Sequence, residues 1–137
     1  LAQIPHGLIT NNTVRNINRN AIRLLSDIGT WNEGVGAFNV AVRSNKIINP
    51  GVDPVLDFPW AAITAYSGAS GRVLSPHFYN RDLEISDNRI ENYRQGCIAV
   101  ISSRDVVSRG NTCVRDPKAD ARAKPWFSLR TSGVLND

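Results

Sequence analysis

Four asparagines constrain this chain more than any other feature. When Asn12, Asn45, Asn88 and Asn111 are laid over one another, the residue two places on is Val14, Ile47, Ile90 or Cys113, apolar each time. Four places on stand Asn16, Asn49 and Asn92, with Arg115 in the last copy. Five and three places before the asparagine, the middle copies give Val40/Val42 and Leu83/Ile85. The outer copies give the weaker Gly7/Ile9 and Val106/Ser108. The corner asparagines are 33, 43 and 23 residues apart. That spacing describes a unit of roughly 23 residues carrying one insertion of about 10 and another of about 20, within the range of repeat architectures.

The clearest copy runs from Asp82 to Asn111, DLEISDNRIENYRQGCIAVISSRDVVSRGN. It alternates Asp82 out, Leu83 in, Glu84 out, Ile85 in, turns at Asp87-Asn88, and restarts at DVVSRGN. Period-two alternation broken by Asn, Asp, Gly and Ser is the pattern of short strands and turns. Apart from NAIRLL at 20–25, no stretch sustains helical spacing. Stacking explains such a restart: each strand bonds to its counterpart one turn on, about 4.8 Å away, so like residues fall on like. The expected fold is all-β, a right-handed parallel β-helix (solenoid) of about four or five rungs. A β-sandwich of short strands is the alternative, but it does not require in-register copies. The rungs are expected over 1–115, with loop insertions at 27–38, 50–60 and 68–81. Residues 116–137 are expected as a C-terminal tail or cap, either holding one more strand near WFSL or lying over the open end.

At 137 residues the chain suits one domain. A solenoid exposes core and unpaired backbone at its ends unless capped. This chain enters its first repeat at once and has no Met, so it is expected to be a piece of a longer β-helix. Its open ends would then meet the remainder of that β-helix or another copy of the chain. No signal peptide or membrane-length apolar run is visible, so no membrane partner is expected, and the mature chain is placed as secreted or periplasmic. The net charge is +4, with the positives scattered among acids. The tail KADARAKPW is too short and mixed for a nucleic-acid footprint, so no nucleic acid is expected. A basic surface would suit an anionic polysaccharide. The two cysteines fit no metal spacing, and no metal or cofactor is expected. Cys113 shares the inward position of Val14, Ile47 and Ile90 and is expected as a buried thiol. A Cys97–Cys113 bridge within one rung is the alternative in an exported protein.

Loops that interrupt a regular coil leave at fixed corners and usually build the binding face. Their contents fit sugars. Trp31, Trp60 and Tyr79 offer flat apolar faces for the CH side of a pyranose, and Asn32, Asp53 and Asp57 offer partners for hydroxyls. Asp27 and Glu33 are the candidate acid/base pair. Each has a plainer reading: Asp27 bonding its own turn, Glu33 before Gly34 as a solvated loop tip, Trp31 packing the loop. Asp53-Pro54 and Asp57 also read as turn chemistry, and His77 after Pro76 as a loop surface residue.

The stretch TWNEGVGAFNVAVRSNKIIN, residues 30–49, resembles glycoside hydrolase family 110, which are β-helical exo-α-galactosidases. HFYNRDLEISDNRIENYRQGCIAVISSRDVVSRGNT, residues 77–112, is similar to the later coils of that family and to parallel β-helices such as pectate lyases and polygalacturonases. The resemblance spans about residues 7–115. It implies metal-independent, inverting hydrolysis of a terminal α-galactoside. That chemistry needs two carboxyl groups roughly 6.5–9.5 Å apart, with Glu33 as acid and Asp27 as base. Two other readings stay open. One is a polysaccharide lyase or uronate epimerase using Arg23, Arg43 or Arg104 against a uronate. The other is a non-catalytic carbohydrate-binding or assembly segment of a larger protein.

Overall fold

The computed structural model describes residues 4–27, 36–52, 61–70 and 73–137. Every regular element among the described residues is a strand. They are β1 (Ile4–Thr10), β2 (Thr13–Ile17), β3 (Ile22–Asp27), β4 (Ala37–Arg43), β5 (Lys46–Pro50), β6 (Ile63–Ser70) and β7 (Val73–Leu74). The chain continues with β8 (Asn80–Ser86), β9 (Arg89–Tyr93), β10 (Gly96–Ile101), β11 (Ser103–Arg109), β12 (Thr112–Arg115), β13 (Lys124–Leu129) and β14 (Ser132–Asn136).

They form three sheets: β1-β4-β8-β11-β14, then β2-β5-β9-β12, then β3-β6-β10-β13. The chain therefore visits first, second and third sheet in turn and repeats that order. All pairings along these sheets are parallel, and β7 alone pairs antiparallel, as a short hairpin with β6. The four residues two places after the corner asparagines are successive register partners, Val14 with Ile47, Ile47 with Ile90, Ile90 with Cys113. In the first sheet Gly7, Val40, Leu83 and Val106 form one row, and Ile9, Val42, Ile85 and Ser108 another.

These rows make the core. Val42, Ile47, Ile85, Ile90 and Val106 are wholly buried in one cluster with Ile63 and Val100 from the third sheet. Burying each such side chain contributes about 1.5–3 kcal/mol. Ile22 and Leu24 also face this core, as their alternation predicts.

Backbone conformation explains the polar residues at fixed places. Positive φ recurs in rows: His6/Asn39/Asp82/Asp105/Gly133, Asn11/Ser44/Asp87/Gly110, Asn16/Asn49/Asn92, and Ser102 and Arg130 just after the paired Ile101 and Leu129. Left-handed backbone is costly for most side chains and tolerated best by Gly, Asn and Asp. Next to the second row, the corner asparagines form a ladder. The backbone N–H and side-chain amide of Asn12 both donate to Asn45 Oδ1 at 3.0 Å, Asn45 donates likewise to Asn88, and Asn88 to Asn111. Asn92, Asn49 and Asn16 form a second, exposed ladder through their side-chain amides.

Cys113 is not a free thiol: it is bonded to Cys97, 16 residues earlier. The bridge ties β12 at the edge of the second sheet to the fully buried Cys97 on β10 of the third. Row position predicts an inward side chain at 113, but it carries no information on which buried atom will lie opposite.

Beyond Arg115 the sequence repeat fades while the pairing continues. The strand at WFSL exists as β13 and extends the third sheet on β10, and β14 extends the first sheet on β11. Ser128 and Asn136 stand in rows occupied earlier by Val100 and by Ile85. The last layer has nothing described above it, so polar residues are tolerated there, and Leu135 is 64% exposed.

Candidate functional site

An open groove of about 630 Å³ runs across the outer face of the first sheet, over β1, β4, β8 and β11. Three rows build it. One rim is His6, Asn39, Asp82 and Asp105, all at positive φ and all exposed. The floor is Leu8, Ala41, Glu84 and Val107, and the other rim carries Arg43 and Arg109. Each residue in a row is one strand from the next, about 4.8 Å on.

The rim acids are solvated. Asp82 lies 3.9 Å from Arg81 Nε and Asp105 lies 3.6 Å from Arg104 Nε, with about half of each carboxylate side chain exposed. The guanidinium of Arg81 covers the Phe38 ring at 4.6 Å, and Phe38 in turn leans on His6. The Asn39 side-chain amide and Nδ1 of His6 are hydrogen-bonded at 2.6 Å.

Glu84 is held differently. The Ser86 hydroxyl donates to its Oε1 at 2.9 Å and Arg109 Nη2 donates to the same oxygen at 3.0 Å. These two hydrogen bonds hold its carboxyl below the ordinary value, so Glu84 is a fixed negative charge in the floor and not a proton donor near neutrality. Among the described residues no three His, Cys, Asp or Glu side chains are grouped to hold a metal ion.

Most of the sequence-predicted site residues lie outside the described residues: Trp31, Asn32, Glu33, Asp53, Asp57 and Trp60. For Asp27 the backbone alone is described, at the end of β3 with Gly68 as register partner. Tyr79 is half-buried, edge-on to His77 at 5.8 Å, immediately before β8. Chain order nevertheless sorts the insertions. Residues 28–35 connect β3 to β4 and residues 71–79 lead from β6 towards β8, so both pass from the third sheet to the first. Residues 53–60 connect β5 to β6, from the second sheet to the third, which is a different corner. The first two insertions meet at their described ends: a Cβ on Gly36 would stand 2.4 Å from the Tyr79 carbonyl oxygen.

The groove rim begins three residues into each strand of the first sheet, just past that shared corner. Comparison with protein-family models, with curated proteins and with solved structures found no match. The rim residues are missed by reading loops for function, yet a signal was there. The residue six places before each corner asparagine is His6, Asn39, Asp82 or Asp105, polar every time. Of the basic residues considered for a uronate, Arg43 and Arg104 stand on the first sheet and Arg23 on the third.

Proposed function

We propose that the three sheets are the faces of a right-handed parallel β-helix, and that this chain is a carbohydrate-active segment of a longer one. In this reading an oligosaccharide lies along the groove of the first sheet, with its rings spaced along the stack of strands. The observation that carries it is the rim His6/Asn39/Asp82/Asp105, four hydroxyl-binding side chains held outward at strand spacing beside a floor of Leu8, Ala41 and Val107 with one carboxylate, Glu84.

Hydrolysis of a glycosidic link is the proposed reaction. Asp27 and Glu33 supply the acid/base pair, with Glu33 as acid, Asp27 as base and water inverting the anomeric centre. Residues 28–35 leave from the corner next to the rim, which supports placing the scissile bond at that end of the groove. Trp31 and Tyr79 then stack on sugar rings. Of the arginines the lyase or epimerase reading would use, Arg43 and Arg104 share the first sheet and Arg23 stands on the third. A binding-only role is the second reading, favoured by the solvated Asp82 and Asp105 and the ionised Glu84. The Cys97–Cys113 bridge supports a secreted or periplasmic setting, since disulfides persist in oxidising compartments.

The test is reducing-sugar release from α-galactosides, measured alongside glycan binding. Turnover lost in Glu33→Gln and Asp27→Asn with binding retained supports hydrolysis. Turnover retained in Glu33→Gln removes that residue from the reaction, and binding unchanged in the Asp82→Asn, Asp105→Asn double variant removes the groove.

A further inference from the structure

Resting on the carbohydrate reading of the groove, we infer that its glycan is acidic, with a carboxylate or sulfate on alternate sugar rings held by Arg43 and Arg109. The first sheet places Thr10, Arg43, Ser86 and Arg109 in one row. Ser86 is buried and turned to Glu84, so the two guanidinium groups face the groove from alternate strands. Alternate strands are about 9.6 Å apart, close to the length of two pyranose rings.

The two arginines are not equivalent. Arg109 is anchored on Glu84. Arg43 is exposed and makes no side-chain ion pair or hydrogen bond among the described residues, acting on Glu84 through charge alone. It is a cation available to a ligand, and exposed Lys46 lies just around the corner, likewise without an ion pair among the described residues. Guanidinium groups bind carboxylate and sulfate oxygens through paired N–H donors.

The opposite rim decides how dense the charge on the ligand is. Asp82 and Asp105 put two carboxylates along the groove, which favours sugar hydroxyls and repels a uniformly charged polymer. A nucleic acid duplex, with a charge about every 1.7 Å, would press phosphates onto that rim. A chain with anionic groups along one edge, one ring in two, meets arginines on one side and hydroxyl acceptors on the other.

The experiment is calorimetric binding of the whole chain to three oligosaccharides of equal length: hyaluronan fragments (carboxylate on alternate rings), κ-carrageenan fragments (sulfate on alternate rings) and uncharged agarose fragments. At low salt, one of the charged ligands binds at least tenfold tighter than agarose, and which one does names the anion. Arg43→Gln then lowers that affinity at least fivefold, while Lys118→Gln, on the exposed turn after Asp116, leaves it unchanged. Circular dichroism checks that Arg43→Gln folds. Agarose binding as tightly as both charged ligands overturns the inference and leaves the carbohydrate reading standing. Binding of none of the three overturns the inference, and the carbohydrate reading then falls only if the α-galactosides are neither bound nor cleaved. Duplex DNA binding tighter than any glycan, with the same loss in Arg43→Gln, also overturns it.

Discussion

Asn45 gives both its backbone N–H and its side-chain amide to one oxygen, Oδ1 of Asn88, at 3.1 and 3.0 Å. Asn88 in turn spends its own amide on the Val42 carbonyl and on Asn111. One side chain thus satisfies a buried backbone donor and a buried carbonyl of the preceding repeat, and the same device recurs at Asn45, which serves Asn12 N–H and the Ile9 carbonyl, and at Asn111, which serves Asn88 N–H and the Ile85 carbonyl.

Asn88→Ala leaves the Asn45 N–H and the Val42 carbonyl without these partners, in a place wholly shut off from water. We expect a loss of about 3 kcal/mol, read as a lowered urea midpoint with unchanged slope. Asn12→Ala, at the exposed end of the ladder, should lose about 1 kcal/mol or less.

Ile47 and Ile90 are register partners with no exposed surface. Truncation of either to Ala should lower stability by about 2–5 kcal/mol through lost burial and a residual cavity. Leu135→Ala, more than half exposed on the last strand, should change it by less than about 0.5 kcal/mol. Equal effects at all three positions would contradict a core running up the middle of the stack.

Reduction of the Cys97–Cys113 bridge opens a closed loop of 16 residues. Chain-entropy reasoning gives a cost of about 3 kcal/mol for a loop of that size. Denaturation with and without reductant, against a Cys97→Ala/Cys113→Ala variant, measures it. The second-sheet edge at β12 should lose amide protection first.

Gly36 has φ of 95°, and an added Cβ would meet the Tyr79 carbonyl oxygen at 2.4 Å. Gly36→Ala should therefore cost about 2 kcal/mol or more, from strained backbone and a collision with main chain. Unchanged thermal stability would mean that the two insertion corners are not in contact.

Glu84 has its folded-state carboxyl held below the ordinary value near 4.5 by Ser86 and Arg109. A depressed carboxyl stabilises the fold above its unfolded value, and that contribution disappears as pH falls through the folded value. Glu84→Gln should therefore flatten the decline of stability below about pH 4.5. In an NMR titration, Arg109→Gln should move the Glu84 midpoint upward, and a midpoint that stays put would remove Arg109 as a cause.

Rows of like residues were legible in the chain itself, because stacking forces equivalent positions to share one environment. Val14/Ile47/Ile90/Cys113 and Asn12/Asn45/Asn88/Asn111 could be aligned before any coordinate was known, and they pair in that register. Insertions could be recognised as breaks in that rhythm, but not the corner from which each departs. That depends on which sheet each strand joins, and it separates residues 53–60 from residues 28–35 and 71–79. The Cys97–Cys113 bridge and the grouping of Asp82, Asp105, Arg43 and Arg109 around one groove were likewise decided in three dimensions. Repetition fixes what lies above and below a residue. What lies beside it depends on how the chain turns its corners, and single residues at positive φ, such as Ser44 between β4 and β5 and Asp87 between β8 and β9, make those turns without disturbing the repeat.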